Sequence, residues 1–385
     1  MNLQKNIYQI YNFSLYLFLF SLPVTEGIKQ ISLAIFIITG TYIAINERRK
    51  FEFDIINIGL LVFMAFTILS ALVNSSPFKN VLDVTRCVIF FFVLRATGIG
   101  KINLKFAVLS LFVGFLVAFV MGCIVKFGSD NPTTLFKLKS IGHVNHSSIF
   151  MLLVFSVSLA FITQKDRFLR NFSIFVAVVS LVGIFITGSR ATMYISPFVL
   201  IFTLGYFGFT KQMELGKISL IFIALVAIAA TSVLITPDTR IISKVAQGVT
   251  ANETRYPIFW SAFYTWQDNP IFGIGSGMFK SIDITHYFPG NLEVRVSHSH
   301  NTFLTFLTEK GIVALLGYLA FQIGLFLKFV KNIKSSVFVF LAFLVLGYQN
   351  VISLANTTFH HENALLMLFI WAAALAIIKL RTDPK

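Results

Sequence analysis

The sequence predicts an all-α protein that crosses a membrane about twelve times, and three observations lead to this fold class. Apolar residues make up 56% of the 385-residue chain and charged residues only 12%, against roughly 25% charged residues in an average soluble domain. Apolar runs recur along the chain, most of them close to the ~20 residues that cross a bilayer as an α-helix. Their connections alternate between strongly and weakly basic, which is typical of a polytopic membrane protein. A water-soluble globular protein is excluded.

The predicted spans are 7–24, 28–45, 55–73, 78–97, 106–125, 146–162, 172–187, 191–209, 218–235, 312–329, 337–355 and 364–378. The first run lacks a basic flank and an Ala-x-Ala cleavage site, so it predicts a retained helix rather than a signal peptide. The chain is expected to divide into helices one to nine (1–235), a large late outer loop containing short interfacial helices (236–301), and helices ten to twelve (302–385).

The basic residues predict the orientation. More than half of the 31 Lys and Arg residues lie in the two termini and in five alternate short connections. Because such residues mark the cytoplasmic ends of spans, both termini are predicted to be cytoplasmic and the loop 236–301 to face outward. The net charge of +15 therefore reflects topology, and no nucleic-acid partner is expected. Cys87 and Cys123 fall within apolar runs and are expected to be free thiols.

Arg190 follows a Thr-Gly-Ser turn between the seventh and eighth predicted spans, on the outer side. A cation at the amino terminus of a helix is unfavourable by about 0.3–1 kcal/mol, because the helix dipole is positive there. An anion would reverse that cost, and a guanidinium beside free backbone N–H groups suits a phosphate. Arg190 is therefore a candidate phosphate ligand. The alternative is an interfacial arginine that extends to lipid headgroups.

Arg255 lies in the outer loop, just before a segment rich in aromatic residues. Pro257 suits the first turn of a helix that would stop at Asp268-Asn269-Pro270. Such a helix would lie along the membrane interface and hold Arg255 at headgroup height, where a lipid-linked diphosphate presents its charge. The alternative is a salt bridge to Glu253 or a contact with membrane lipids.

His298-Ser299-His300-Asn301 immediately precedes an amphipathic helix that leads into the tenth span. No third ligand has a suitable spacing, so the pattern does not favour zinc. A general base is the better hypothesis, because a helix amino terminus disfavours the imidazolium and keeps a proton acceptor available near neutral pH. The alternative is a capping turn in which Asn301 caps the helix and both histidines are solvated.

Other outer residues are weaker candidates. Asp83 and Arg86 are spaced to pair on one helix face, and a structural ion pair is favoured over a substrate contact. Lys137 and Lys139 form an outer group with His143 and His146, and the alternative for this group is simple solvation. Arg86, Lys137, Lys139, His298 and Asn301 are predicted to contact substrate. Glu309 is a reserve base, although a surface role is favoured.

Two further patterns bear on cofactors. The stretch from Gly273 to Phe279 superficially resembles a nucleotide-binding loop, but no strand precedes it, so a backbone turn is predicted. No Asp-x-Asp occurs on the outer side to hold a metal-bound nucleotide sugar. No metal and no cofactor are therefore expected. A basic site of this kind suits a donor that already carries a lipid diphosphate.

His300-Asn301, nine further residues and Gly311 resemble the His-Asn-x9-Gly signature of the O-antigen ligase family, within the wider superfamily of O-antigen ligases and polymerases. Arg190 and Arg255 match the family's pattern in order and approximate spacing. The resemblance extends over the whole chain in topology. Ala314 departs from it, because the family more often has Gly, Thr or Tyr three residues after that glycine.

The resemblance implies a metal-independent inverting glycosyltransferase of the bacterial inner membrane, with a periplasmic site. It would move O-antigen from undecaprenyl diphosphate to a sugar hydroxyl of the lipid A-core oligosaccharide. It implies His300, Arg190 and Arg255 as catalytic residues. An O-antigen polymerase, which uses the same donor, is the closest alternative. A flippase for lipid-linked oligosaccharide is disfavoured, because it would carry its charges near the membrane midplane.

Overall fold

The computed structural model describes residues 2–49, 51–98, 100, 102–129, 135–235, 251–284, 296–359 and 361–382. Within these ranges the chain forms thirteen α-helices and one short 3₁₀ helix, and no strand. The all-α fold class predicted from the sequence is confirmed.

The helices, numbered in chain order, are α1 (Asn2–Ser21), α2 (Glu26–Asn46), α3 (Ile55–Val73), α4 (Phe78–Thr97), α5 (Leu104–Phe127), α6 (Val144–Phe161), α7 (Arg167–Thr187), α8 (Arg190–Phe209), α9 (Leu215–Ile235), α10 (Ala251–Asp268), α11 (Thr302–Lys331), α12 (Val337–Ser353) and α13 (His361–Thr382). The 3₁₀ helix, Phe279–Ser281, lies between α10 and α11.

Each of the twelve predicted spans coincides with one helix to within a few residues, except that the tenth forms only the second part of α11. By length and composition, eight described helices can cross a membrane, namely α2, α3, α5, α6, α7, α8, α11 and α13. Two more helices contain shorter apolar stretches, namely Gly216–Ala227 within α9 and the 17-residue α12. α4 is not among the eight because Lys79, Asp83, Arg86 and Arg95 interrupt its apolar sequence.

The tenth helix differs from its prediction at one end. It stops at Asp268, as predicted, but begins at Ala251 and therefore carries Pro257 in its interior rather than in its first turn. The hydrogen bond lost at an internal proline does not end the helix here, because α10 packs against α11. Thr308 Oγ1 donates to the carbonyl of Ala262 at 3.0 Å across that contact.

The core is built on an antiparallel pair, α3 and α11, whose backbones approach closely at glycines. A Cβ at Gly59 would lie 2.7 Å from the carbonyl oxygen of Gly317, and one at Gly317 would lie 2.9 Å from that of Gly59. Two turns further along α11, a Cβ at Gly324 would lie 2.7 Å from the side chain of Ile56. Small residues let membrane helices approach in this way, so the pair is held by backbone packing.

α11 is broken at Gly311, which has φ 80° and ψ 176° inside an otherwise helical run. In a continuous helix the carbonyl of Thr308 would accept from the amide of Ile312. Instead Ile312 donates to Pro270 O at 2.9 Å, and Thr308 O accepts from Ile274 N at 2.9 Å. The carbonyl of Glu309 likewise accepts from the amide of Gly275 at 3.0 Å. The glycine-rich loop thus replaces the missing helical hydrogen bonds.

This loop, residues 270–279, is a backbone turn, as predicted. Gly273, Gly275 and Gly277 all have positive φ. Asn74 of α3 donates to Gly273 O at 3.0 Å, and Asn80 of α4 donates to Ser276 O at 3.0 Å. The turn therefore ties three helices together next to the break in α11.

The connections gather at two ends of the helical bundle, as their alternation predicts. At the first, here called the basic end, Arg95 and Lys379 both pair with Glu52 at 2.5 Å, and Lys105 pairs with Asp166. All these residues belong to connections predicted to be cytoplasmic, or lie beside them. Which side of the membrane this end faces stays a prediction.

The opposite end, here called the histidine end, carries His143, His298, His300 and His361. Lys29 at the start of α2 pairs with Glu362 at the start of α13. Thr302 Oγ1, at the start of α11, donates to the carbonyl of Asn356 at 3.1 Å. Polar contacts between helix starts therefore close this end.

Gly311→Ala should destabilise the protein. A Cβ there would lie 1.9 Å from the carbonyl oxygen of Ile271, on a backbone that L-residues rarely adopt. We expect a loss of more than about 1 kcal/mol, seen as a lower thermal midpoint of the purified protein in detergent. Gly205→Ala in α8 is the control, because its Cβ would meet nothing within 4 Å and the change favours helix by about 0.5–1 kcal/mol. Equal midpoints for Gly311→Ala and wild type would contradict this account of the break.

Candidate functional site

The histidine segment 297–301 leads into α11 at the histidine end. The side chain of Asn301 accepts from Leu304 N at 3.0 Å, so Asn301 caps α11, as the capping alternative predicted. Ser299 is fully buried, and its hydroxyl donates to Asn301 O and contacts Thr305 Oγ1, both at 2.8 Å. These hydrogen bonds fix the turn that carries His298 and His300, whose ring centroids are 4.6 Å apart.

His300 is half-buried and has φ 55°, in the left-handed region. A residue with a Cβ is uncommon there, and such backbone strain of order 1–3 kcal/mol persists where its surroundings enforce it. Among the described residues, none forms a hydrogen bond with the His300 imidazole, whereas His298 Nδ1 contacts the hydroxyl of Ser297 at 2.9 Å. The capping turn therefore leaves His300 available for other partners.

Burial and nearby positive charge keep both imidazoles neutral. Burial is the larger cause and, with the charges of His298, Arg255 and His143, it lowers the pKa of His300 to about 4. Burial, followed by His143, also lowers the pKa of His298 below its usual range. Because both shifts favour the unprotonated ring, His300 is a proton acceptor throughout the neutral range.

Arg255 and Arg190 are held within electrostatic reach of each other. Burial first, and the charge of Arg190 second, lower the pKa of Arg255. An arginine remains charged nonetheless, so two guanidinium groups repel each other at this site. In the described part of the chain neither has a hydrogen-bond or ion-pair partner.

Arg190 is the first residue of α8 and is exposed. α7 ends at Gly188, which is left-handed with φ 62°, and Ser189 makes no side-chain cap to α8. The first amides of α8 are therefore not capped by that side chain, and the helix dipole there adds positive charge to that of Arg190. The chain thus brings His300, Arg255 and Arg190 into one electrostatic group, while their catalytic roles stay predictions.

The remaining predicted substrate contacts lie elsewhere. Arg86 pairs with Asp83 at 3.1 Å, as the structural alternative predicted, and contacts His361 Nδ1 at 3.3 Å. Lys137 and Lys139 are exposed on an extended segment before α6. No hydrogen bond or ion pair joins either lysine to the described residues, so both stay weak candidates.

A cavity of about 480 Å³ lies beside the histidine segment. His298 lines it, whereas His300, Arg190 and Arg255 do not. Its walls come from α4, α6, α11 and α13, from the loops before α6 and α13, from the glycine loop and the 3₁₀ helix, and from the histidine segment. Its polar lining includes Asn80, Asp83, His143, Lys280, Thr357 and Asn363.

The expectation of a surface role for Glu309 is wrong. Glu309 and Lys310 are 5% and 4% exposed, line the cavity, and lie 3.4 Å apart as an ion pair. Glu309 Oε1 also accepts from the amide of Phe279 at 3.3 Å. The helix break at Gly311 turns this pair inward, and sequence spacing alone gives no sign of that break.

Sequence reasoning also missed the start of α13. His361 and Glu362 line the cavity, and His361 has φ 43°. The sequence did contain a signal for this site, namely the three polar residues His361-Glu362-Asn363 directly before a long apolar run. Ionisable residues at a membrane span are often functional.

A comparison with protein families bears on the class of protein. The family described as O-antigen ligase matches residues 175–319, a range that includes Arg190, Arg255, His300 and Gly311. The match covers less than half of the chain, and it supports a relationship to the superfamily of O-antigen ligases and polymerases. No curated protein matches the chain.

The environment of His300 predicts an unusual titration. We expect its NMR titration midpoint near pH 4 rather than near 6.5, measured on ¹³C,¹⁵N-histidine-labelled protein in detergent. Arg255→Gln removes a positive charge that disfavours the imidazolium, so the midpoint should rise. Lys165→Gln, at the basic end, should leave it unchanged. A wild-type midpoint near 6.5 would show that His300 is solvated instead.

Proposed function

We propose that this protein is an O-antigen ligase that transfers O-antigen polysaccharide from undecaprenyl diphosphate to a sugar hydroxyl of lipid A-core. The observation that carries the proposal is that Arg190 and Arg255 lie within electrostatic reach of each other, beside a neutral His300, and have no hydrogen-bond or ion-pair partner among the described residues. A diphosphate offers negative charge and paired oxygens that two guanidinium groups can bind. The match to the O-antigen ligase family supports a lipid-linked substrate.

In the proposed reaction Arg190 and Arg255 bind the donor's diphosphate. As the bond between the anomeric carbon and the diphosphate oxygen breaks, negative charge grows on the leaving undecaprenyl diphosphate, and the guanidiniums stabilise it. The amides at the start of α8, which the Ser189 side chain does not cap, supply further N–H donors. In this mechanism the arginines take the place of a metal ion.

His300 accepts the proton of the acceptor hydroxyl while the oxygen attacks the anomeric carbon from the face opposite the leaving group. The configuration is thereby inverted. Neutral His300 is suited to this role because its pKa is lowered to about 4, so no prior deprotonation is needed near pH 7. His298, 4.6 Å away ring to ring, lies on the cavity side of His300 and orients the acceptor.

We place the protein in the bacterial inner membrane with both termini in the cytoplasm and the histidine end in the periplasm. The basic connections support this orientation. Donor and acceptor would then meet at the periplasmic surface, with the diphosphate at headgroup height.

His300→Ala should lose transfer by about 10²- to 10⁴-fold, because a general base is removed. The assay is transfer from purified undecaprenyl-diphosphate-linked O-antigen to lipid A-core, with membrane level and thermal midpoint as controls for folding. Near-normal transfer would remove His300 from the mechanism. Supplying a second lipid-linked glycan as acceptor identifies a polymerase, which would extend that glycan and leave lipid A-core bare.

Arg190→Lys and Arg255→Lys should each lower kcat/KM for the donor by about 10- to 100-fold, because lysine keeps the charge but loses paired hydrogen bonds to phosphate. Arg167→Lys, at an exposed residue that begins α7 at the basic end, is the matched control and should behave as wild type. Wild-type rates for both of the first two variants would rule out bidentate recognition of the diphosphate.

A further inference from the structure

The cavity includes one member of the histidine pair and neither guanidinium. His298 lines the cavity, whereas His300, Arg190 and Arg255 do not. The ring centroids of His298 and His300 are 4.6 Å apart, so the cavity lies next to the proposed base. A transfer reaction needs a place for each of its two substrates beside one base.

Two buried polar atoms at the cavity lack a hydrogen-bond partner. Thr357 is 5% exposed and Asn363 is 1% exposed, and both line the cavity. Among the described residues, neither Thr357 Oγ1 nor Asn363 Oδ1 has a hydrogen-bond partner, although the Asn363 amide donates to His146 O at 3.2 Å. Because buried polar groups are nearly always paired, these two atoms indicate a polar ligand.

The cavity's carboxylates are already charge-balanced. Asp83 pairs with Arg86, Glu309 with Lys310 and Glu362 with Lys29. Their remaining lone pairs accept hydrogen bonds from hydroxyl groups. Within the described lining the one cation outside such a pair is Lys280, which is exposed. The interior is therefore unsuited to a diphosphate and suited to an uncharged, hydroxyl-rich ligand.

Shape and apolar lining fit the same ligand. At about 480 Å³ the cavity falls within the range of small-molecule pockets, roughly 300–1,000 Å³. Phe306 and Phe359 line it with ring centroids 6.4 Å apart. Aromatic rings pack against the apolar C–H faces of sugars while polar groups bind their hydroxyls.

We propose that this cavity binds the acceptor saccharide through its uncharged hydroxyl groups, with Thr357 and Asn363 as direct contacts, and that it excludes a phosphorylated sugar. The donor's diphosphate stays outside, at Arg190 and Arg255. The inference rests on the proposed function in requiring a glycosyl acceptor, but it holds whether that acceptor is lipid A-core or a second lipid-linked glycan.

Thr357→Val tests the contact without breaking any protein hydrogen bond, because Thr357 Oγ1 has none. Equilibrium binding is measured on the purified full-length protein without donor, so that no turnover occurs. The probes are lipid-free core oligosaccharide and a lipid-linked glycan. Thr357→Val should weaken binding of one of them by about 3- to 10-fold, the effect of one lost neutral hydrogen bond. A core oligosaccharide phosphorylated on its terminal sugar should bind wild type at least about 10-fold more weakly.

Ser180→Ala is the matched control. Ser180 is buried like Thr357 and its hydroxyl likewise has no partner among the described residues, but it lies in α7 outside the cavity lining. Its removal should leave both affinities unchanged. Inorganic pyrophosphate, which mimics the donor's charge, should bind wild type and Thr357→Val equally.

Several outcomes overturn the inference: equal acceptor binding by Thr357→Val and Ser180→Ala, no binding of either acceptor to wild type, or weaker pyrophosphate binding by Thr357→Val. If transfer to lipid A-core proceeds while Thr357→Val has no effect on binding, the proposed function stands and the cavity assignment is wrong. If Thr357→Val weakens only the lipid-linked glycan and lipid A-core is not modified, the cavity assignment stands and the ligase proposal is wrong.

Discussion

The break in α11 at Gly311 is the constraint on which the site depends. It frees the carbonyls of Thr308 and Glu309, and the glycine loop satisfies them with its amides. Gly277 of the loop and Lys280 of the 3₁₀ helix that follows it line the cavity, so the same hydrogen bonds that repair the helix position one side of the cavity. The break lets the first part of α11 take a direction different from that of its membrane-spanning part. A backbone conformation that favours glycine thus sets the direction of the functional surface.

Electrostatics explain why such a surface persists beside a membrane. Each cavity carboxylate is paired with a cation, so the lining holds many polar groups at little net charge. Removing one residue of a buried ion pair would destabilise the fold more than replacing both residues with apolar ones. The guanidiniums of Arg190 and Arg255 are the exception, because they lie within electrostatic reach of each other and have no ion-pair partner among the described residues. A bound anion would offset their repulsion, and the proposed donor provides one.

The sequence predicted the helices well because their signal, long apolar runs separated by charged turns, is local. It also predicted Asn301 as a cap and 273–279 as a turn, since both follow from residue types at fixed positions. Glu309 and Asn363 escaped prediction because their burial depends on contacts between helices far apart in the chain. The start of α10 escaped for a related reason, since packing on α11 sustains a helix across Pro257 where local rules favour a boundary.

The lowered pKa of His300 bears on the order of the proposed reaction. Burial and the charge of Arg255 keep the ring neutral in the free protein, but a base with a pKa near 4 is a weak proton acceptor. A bound diphosphate would offset the positive charge of the arginines and favour the imidazolium, so the pKa of His300 would rise toward the working pH. Donor binding would therefore strengthen the base just when the anomeric carbon is in place. The acceptor hydroxyl would lose its proton only beside a loaded donor, which disfavours attack by water or by an acceptor bound alone.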